Sequence, residues 1–73
     1  MIHVSKIHTL VETIKEFSIK WISEQGEIIS CDRCVFTSFH GKGNTFNIML
    51  PSREVRTVNR YTLLEFNGEE VVL

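Results

Sequence analysis

Phe17-Ser18-Ile19-Lys20-Trp21 is the stretch on which the fold turns. Apolar and polar residues alternate along it, so in an extended chain Phe17, Ile19 and Trp21 share one face and Ser18 and Lys20 the other. That two-residue rhythm predicts a half-buried strand. Just before it, Ile7, Leu10, Val11, Ile14 and Phe17 recur at intervals of three and four, which predicts a short helix over Leu10 to Glu16. Thr9 stands three residues before Glu12, the spacing of a capping box. The β-branched Val11, Thr13 and Ile14 count against a helix, and an N-terminal strand through Ile2 and Val4 is the competing assignment.

Downstream the extended pattern continues between turn signals. Gln25-Gly26 is a turn, and Glu27 to His40 reads as a second strand long enough to bend. Gly41-Lys42-Gly43-Asn44 makes the next connection, after which Phe46, Ile48 and Leu50 line one face of a third strand. Pro51-Ser52-Arg53-Glu54 turns the chain again, with Pro51 suited to a strand end because it cannot donate a ladder hydrogen bond. Val55 to Phe66 predicts one or two further strands. Asn67-Gly68 predicts a two-residue type I′ hairpin, which needs positive φ at both positions, and Glu69 to Leu73 is its returning strand.

Short strands joined by tight turns predict antiparallel pairing. A small sheet must bury one face and hide its edges, and curling does both. The expected fold class is therefore mainly β: a small antiparallel meander or partly open barrel, SH3-like or OB-like, of about five strands, with a short N-terminal helix.

The 73 residues suffice for one domain, read as residues 1–73. A domain near this size buries only about 60% of the surface of its unfolded chain, so the core is thin. With 42% hydrophobic and 23% charged residues, the composition is that of a globular chain and argues against disorder. No apolar run approaches the ~18 residues that span a bilayer. His3, Lys6 and His8 interrupt the N-terminal stretch, where a secretory signal needs an unbroken apolar region. No membrane partner and a cytoplasmic location are expected.

Net charge is −1, but it is unevenly placed: −2 over residues 1–32, +4 over 33–60 and −3 over 61–73. The middle segment sets Arg33, Lys42, Arg53, Arg56 and Arg60 among Phe36, Phe39, Phe46 and Tyr61. Cations for the backbone and aromatic faces for the bases are what single-stranded nucleic acid requires. Continued extension would put Arg56 and Arg60 on one side. The structural alternative is a solvated basic face balanced by Glu54 and the acidic C-terminus, with the aromatics in the core.

Cys31-Asp32-Arg33-Cys34 is a single CxxC pair. Structural zinc normally takes four ligands; no second CxxC pair is present, and the possible completing ligands are His3, His8 and His40, of which His3 and His8 have four residues between them. Residues three apart on a strand face opposite ways unless a bulge at Asp32-Arg33 brings both sulfurs to one side. The flanking Ile28-Ile29 and Val35-Phe36 read as strand rather than as the helix start that activates a redox thiol. Small hydrophobic core residues are the expected role, with no metal and no cofactor; Cys31, Cys34 and His40 are the nearest approach to a ligand set.

The Gly41 to Asn44 loop has neither the P-loop spacing nor the dinucleotide fingerprint, and no HExxH pair or nucleophile elbow is present, so no enzyme is expected. Trp21 is read as a core anchor. Val71, Val72 and Leu73 form an apolar terminal strand that needs cover from a neighbour. The expected function is a non-enzymatic protein-interaction or assembly module that self-associates or binds a protein partner through an exposed strand edge. The alternative is a nucleic-acid-binding small barrel using the basic segment 33–60.

Overall fold

The computed structural model describes residues 1–40 and 43–73, His40 by its backbone alone. It is mainly β, as the alternation predicts. In chain order the elements are β1 (Ile2–His3), a 3-10 turn (Val4–Lys6), α1 (Ile7–Ile14), β2 (Glu16–Ile22), β3 (Ile28–His40), β4 (Thr45–Met49), β5 (Val55–Asn59), a second 3-10 turn (Arg60–Thr62), β6 (Leu63–Phe66) and β7 (Glu69–Val72). Among the described residues these seven strands form one sheet in the order β1-β7-β6-β2-β3-β4-β5, and the sheet does not close. Pairing is antiparallel except at β1, which lies parallel to β7.

The core is built from the predicted faces. Phe17, Ile19 and Trp21 of β2 are buried together with Phe46 and Ile48 of β4, and α1 adds Ile7 and Val11. Cys34, Val58, Leu63 and Phe66 complete the cluster. A fully buried side chain of this kind is worth about 1.5–3 kcal/mol of hydrophobic stabilisation. In so short a chain these few residues carry the fold. Phe17 and Phe66 pack with ring centroids 5.0 Å apart and join the first part of the sheet to the last.

The helix runs Ile7–Ile14, earlier than the predicted Leu10 to Glu16, and the capping box does not form. Thr9 lies inside the helix, whose N-cap, Lys6, makes no side-chain hydrogen bond. The 3-10 turn at Val4–Lys6 leads directly into α1, and His3 caps that turn by accepting from the Ser5 N–H at 3.1 Å. The competing strand forms only as far as His3. At the other end Lys15 takes φ 71° and reverses the chain. Its N–H donates to the Val11 carbonyl, and its own carbonyl accepts from the Phe36 N–H at 2.7 Å. Glycine or asparagine usually marks such a position, so a lysine there gives the sequence no sign of it.

The 13-residue β3 bends through two register shifts. Against β2, Asp32 and Arg33 together oppose Ser18; against β4, Thr37 is the extra residue between Phe36 and Ser38. Each bulge raises local twist and curls the sheet around α1. Asn67 and Gly68 have φ of 50° and 83°, the positive pair a type I′ hairpin requires.

Candidate functional site

The sheet ends on β1 at one side and β5 at the other. β1 has two residues; β5 has five and runs in unbroken register with β4, from Met49 opposite Val55 to Thr45 opposite Asn59. The phase of this ladder follows from its two ends. The Leu50 N–H donates to the Glu54 carbonyl at 2.8 Å, and the Arg60 N–H donates to the Asn44 carbonyl at 2.9 Å. Hydrogen-bonded pairs alternate along an antiparallel ladder. Arg56 and Val58 therefore direct their main-chain groups to β4, while Val55, Thr57 and Asn59 direct theirs away from the sheet. The Asn59 carbonyl accepts from Thr62 Oγ1 at 2.8 Å, as an outward carbonyl can.

Edge strands are ordinarily blunted by lysine, proline or a bulge. β5 has none of the three. Its one charge, Arg56, is engaged by Glu54 at 3.1 Å. Behind the edge the strand is firmly held: Thr57 Oγ1 donates to Asn47 Oδ1 at 2.6 Å, and Asn47 Nδ2 donates to Ser38 Oγ at 3.1 Å. These bonds tie β5, β4 and β3 together across one face. Val55 is more than half exposed.

Two adjoining cavities of about 240 and 260 Å³ lie between β5 and the end of the β2–β3 hairpin. Trp21, Ser23, Glu24 and Thr57 line both. Trp21 is buried and floors this cleft as well as anchoring the core. The site is thus a rigid, regular strand edge beside a cleft with a largely polar rim.

Of the five predicted cations, the four described ones are placed in different surroundings. Arg33 and Arg53 share a cavity of about 330 Å³ with Glu16, Val35, Met49, Leu50 and Pro51. Arg56 pairs with Glu54. Arg60 lies in a 3-10 turn rather than in a continued strand, so it does not share a strand face with Arg56 as continued extension implied. Its Nη2 donates to Asn44 Oδ1 and Tyr61 Oη, both at 3.3 Å, and its guanidinium stacks 5.1 Å from the Tyr61 ring centroid. Lys42 lies outside the described residues.

The predicted C-terminal edge is also placed differently. β1 runs along β7, pairing Ile2 with Val71 and His3 with Val72, so only Leu73 extends beyond the sheet. The cover that this strand needs comes from the chain's own N-terminus. Cys31 and Cys34 are free thiols, and the Asp32-Arg33 bulge puts Cys31 opposite Ile19 and Cys34 opposite Phe17, on the core face. Among the described residues no group of three or more His, Cys, Asp and Glu could hold a metal ion. The side chain of His40 lies outside them.

His8 was not singled out by the sequence as a core-facing group. Its ring stacks on Phe39 with centroids 4.7 Å apart and meets Phe46 edge-on at 6.1 Å. Among the described residues no close hydrogen-bond partner meets either ring nitrogen or Arg60 Nε. Burial, then the positive charge of Arg60, lowers its pKa below the ordinary 6.5, while the Gly43 backbone pulls weakly the other way.

No protein-family model matches the chain, and comparison with curated proteins and with solved structures finds no similar protein.

Proposed function

We propose that this domain is a non-enzymatic protein-interaction or assembly module that works by strand addition at β5. The observation that carries the reading is the outward phase of Val55, Thr57 and Asn59 on an edge without lysine, proline or bulge. An added strand gains main-chain hydrogen bonds from this row, and the adjoining cleft receives alternate side chains. The simplest partner is a second copy of the chain. Sedimentation of the full chain over a range of concentrations tests this. The native protein is expected to exceed monomer mass as concentration rises, and Thr57→Pro, which deletes an outward N–H, is expected to remain monomeric with an unchanged circular dichroism spectrum. A native chain that is monomeric throughout, and indistinguishable from Thr57→Pro, rejects the reading.

The nucleic-acid alternative draws less support. Two of the described cations share a cleft with Glu16, one is neutralised by Glu54, and Arg60 is engaged by Asn44 and Tyr61. Its best remaining feature is the Arg60–Tyr61 pair. Salt-sensitive binding of a single-stranded oligonucleotide that is lost in Arg60→Ala would favour it over strand addition.

A further inference from the structure

We infer that Cys31 and Cys34 form a two-thiolate binding site for a soft, two-coordinate cation, of which Cu(I) is the probe. The bulge makes the site. Without it, side chains three apart on β3 would diverge; with Asp32 and Arg33 both opposing Ser18, the cysteines become same-face neighbours opposite Ile19 and Phe17. Those two positions on β2 are two residues apart, a span of about 6.8 Å at ~3.4 Å per residue.

The donor set selects the ligand: two thiols side by side on one face, one of them buried. Zinc wants four ligands, and among the described residues no group of three or more His, Cys, Asp and Glu is placed to supply them. Soft thiolates select Cu(I) among the biological cations that accept two ligands.

The surroundings suit a linear centre. Cys34 is fully buried, and its Sγ donates to the Phe17 carbonyl at 3.2 Å. Cys31 is partly exposed and borders a cavity of about 280 Å³ that Lys20, Asp32 and Glu65 also line. Burial and then the adjacent Cys31 push the Cys34 thiol up to about 12, so in the metal-free chain Cys34 is protonated and uncharged. A bound metal displaces both protons, which pass to solvent through the Cys31 side, and no electron is transferred.

The test is an anaerobic titration of the reduced full chain with Cu(I) held by a chromophoric chelator. One Cu(I) per chain is expected, with two-sulfur coordination by X-ray absorption. Cys31→Ser is expected to weaken binding at least about a hundredfold, since even the loss of an outer partner costs 10–100-fold. Because Cys31 is only partly buried, that variant should keep its native circular dichroism spectrum; Cys34→Ser, which alters the core, is the second arm. Failure of the folded native chain to withdraw copper from the chelator overturns the inference. So does retention of copper by the Cys31→Ser, Cys34→Ser double variant, or stoichiometric four-coordinate zinc in preference to Cu(I).

Discussion

Two proline substitutions on adjacent residues of β5 test the ladder phase from which the proposed function follows. Arg56 directs its N–H into the sheet, toward Ile48, its register partner. Arg56→Pro removes that donor and leaves the Ile48 carbonyl without it, a loss of about 1–3 kcal/mol for an unsatisfied group. The proline ring also crowds the ladder, so the total is about 2–4 kcal/mol. Thr57→Pro removes an outward N–H that bonds nothing in the sheet. It forfeits only the exposed Thr57–Asn47 side-chain bond at 2.6 Å, about 1 kcal/mol, and regains part of this by stiffening the unfolded chain. In a domain of 60–100 residues each kcal/mol moves Tm by about 4–8 °C. Thr57→Pro should therefore lower Tm by less than about 8 °C, and Arg56→Pro by roughly 8–32 °C. Thermal unfolding at a concentration that keeps both variants monomeric decides it. Equal losses, or a larger loss at Thr57, would refute the assignment of Thr57 to the open edge and with it the case for strand addition.

Other expectations follow from the core, the hairpin and the rim. Phe46→Ala empties a fully buried position between β3 and β5 and is expected to cost about 3–5 kcal/mol by urea denaturation, enough to unfold much of the population of so small a domain. Asn67 holds φ 50° while its Oδ1 accepts from the Ser18 N–H at 2.9 Å; Asn67→Ala loses both the tolerance of that conformation and the bond, whereas Asn67→Gly loses only the bond and should be the more stable of the two by about 1 kcal/mol. His8 has a pKa lowered by burial, so the unfolded chain binds its proton more readily. Its contribution is present above the ordinary value of 6.5 and is lost as pH falls from there through the folded value; urea midpoints at pH 7.5 and 5 should diverge more in the native chain than in His8→Gln.

The strand faces, the turns and the mainly β class were legible because each rests on nearest-neighbour chemistry. Phe17, Ile19 and Trp21 point one way because a strand has period two, and Asn67-Gly68 turns because those residues accept positive φ. The helix was legible in its apolar spacing but not in its start, since a 3-10 turn capped by His3 replaced the cap that Thr9 suggested. Lys15 and Arg53, both at positive φ, turn the chain where residue type gives no signal.

The candidate site was only half legible. The apolar C-terminal strand called for cover, but cover by Ile2 and His3 depends on the two ends of the chain meeting, which no local pattern encodes. The basic segment was visible as a charge count, yet whether Arg33, Arg53, Arg56 and Arg60 share a face depends on where the chain stops being extended, and it stops at Arg60. What the sequence by itself determined was the alternation, the turn chemistry and the pairing of two cysteines around a potential bulge. What only tertiary structure decided was strand order. Order fixes which backbone groups are left without a neighbour and which side chains meet, and it arises from contacts between residues distant in the chain, made to bury the same few apolar faces.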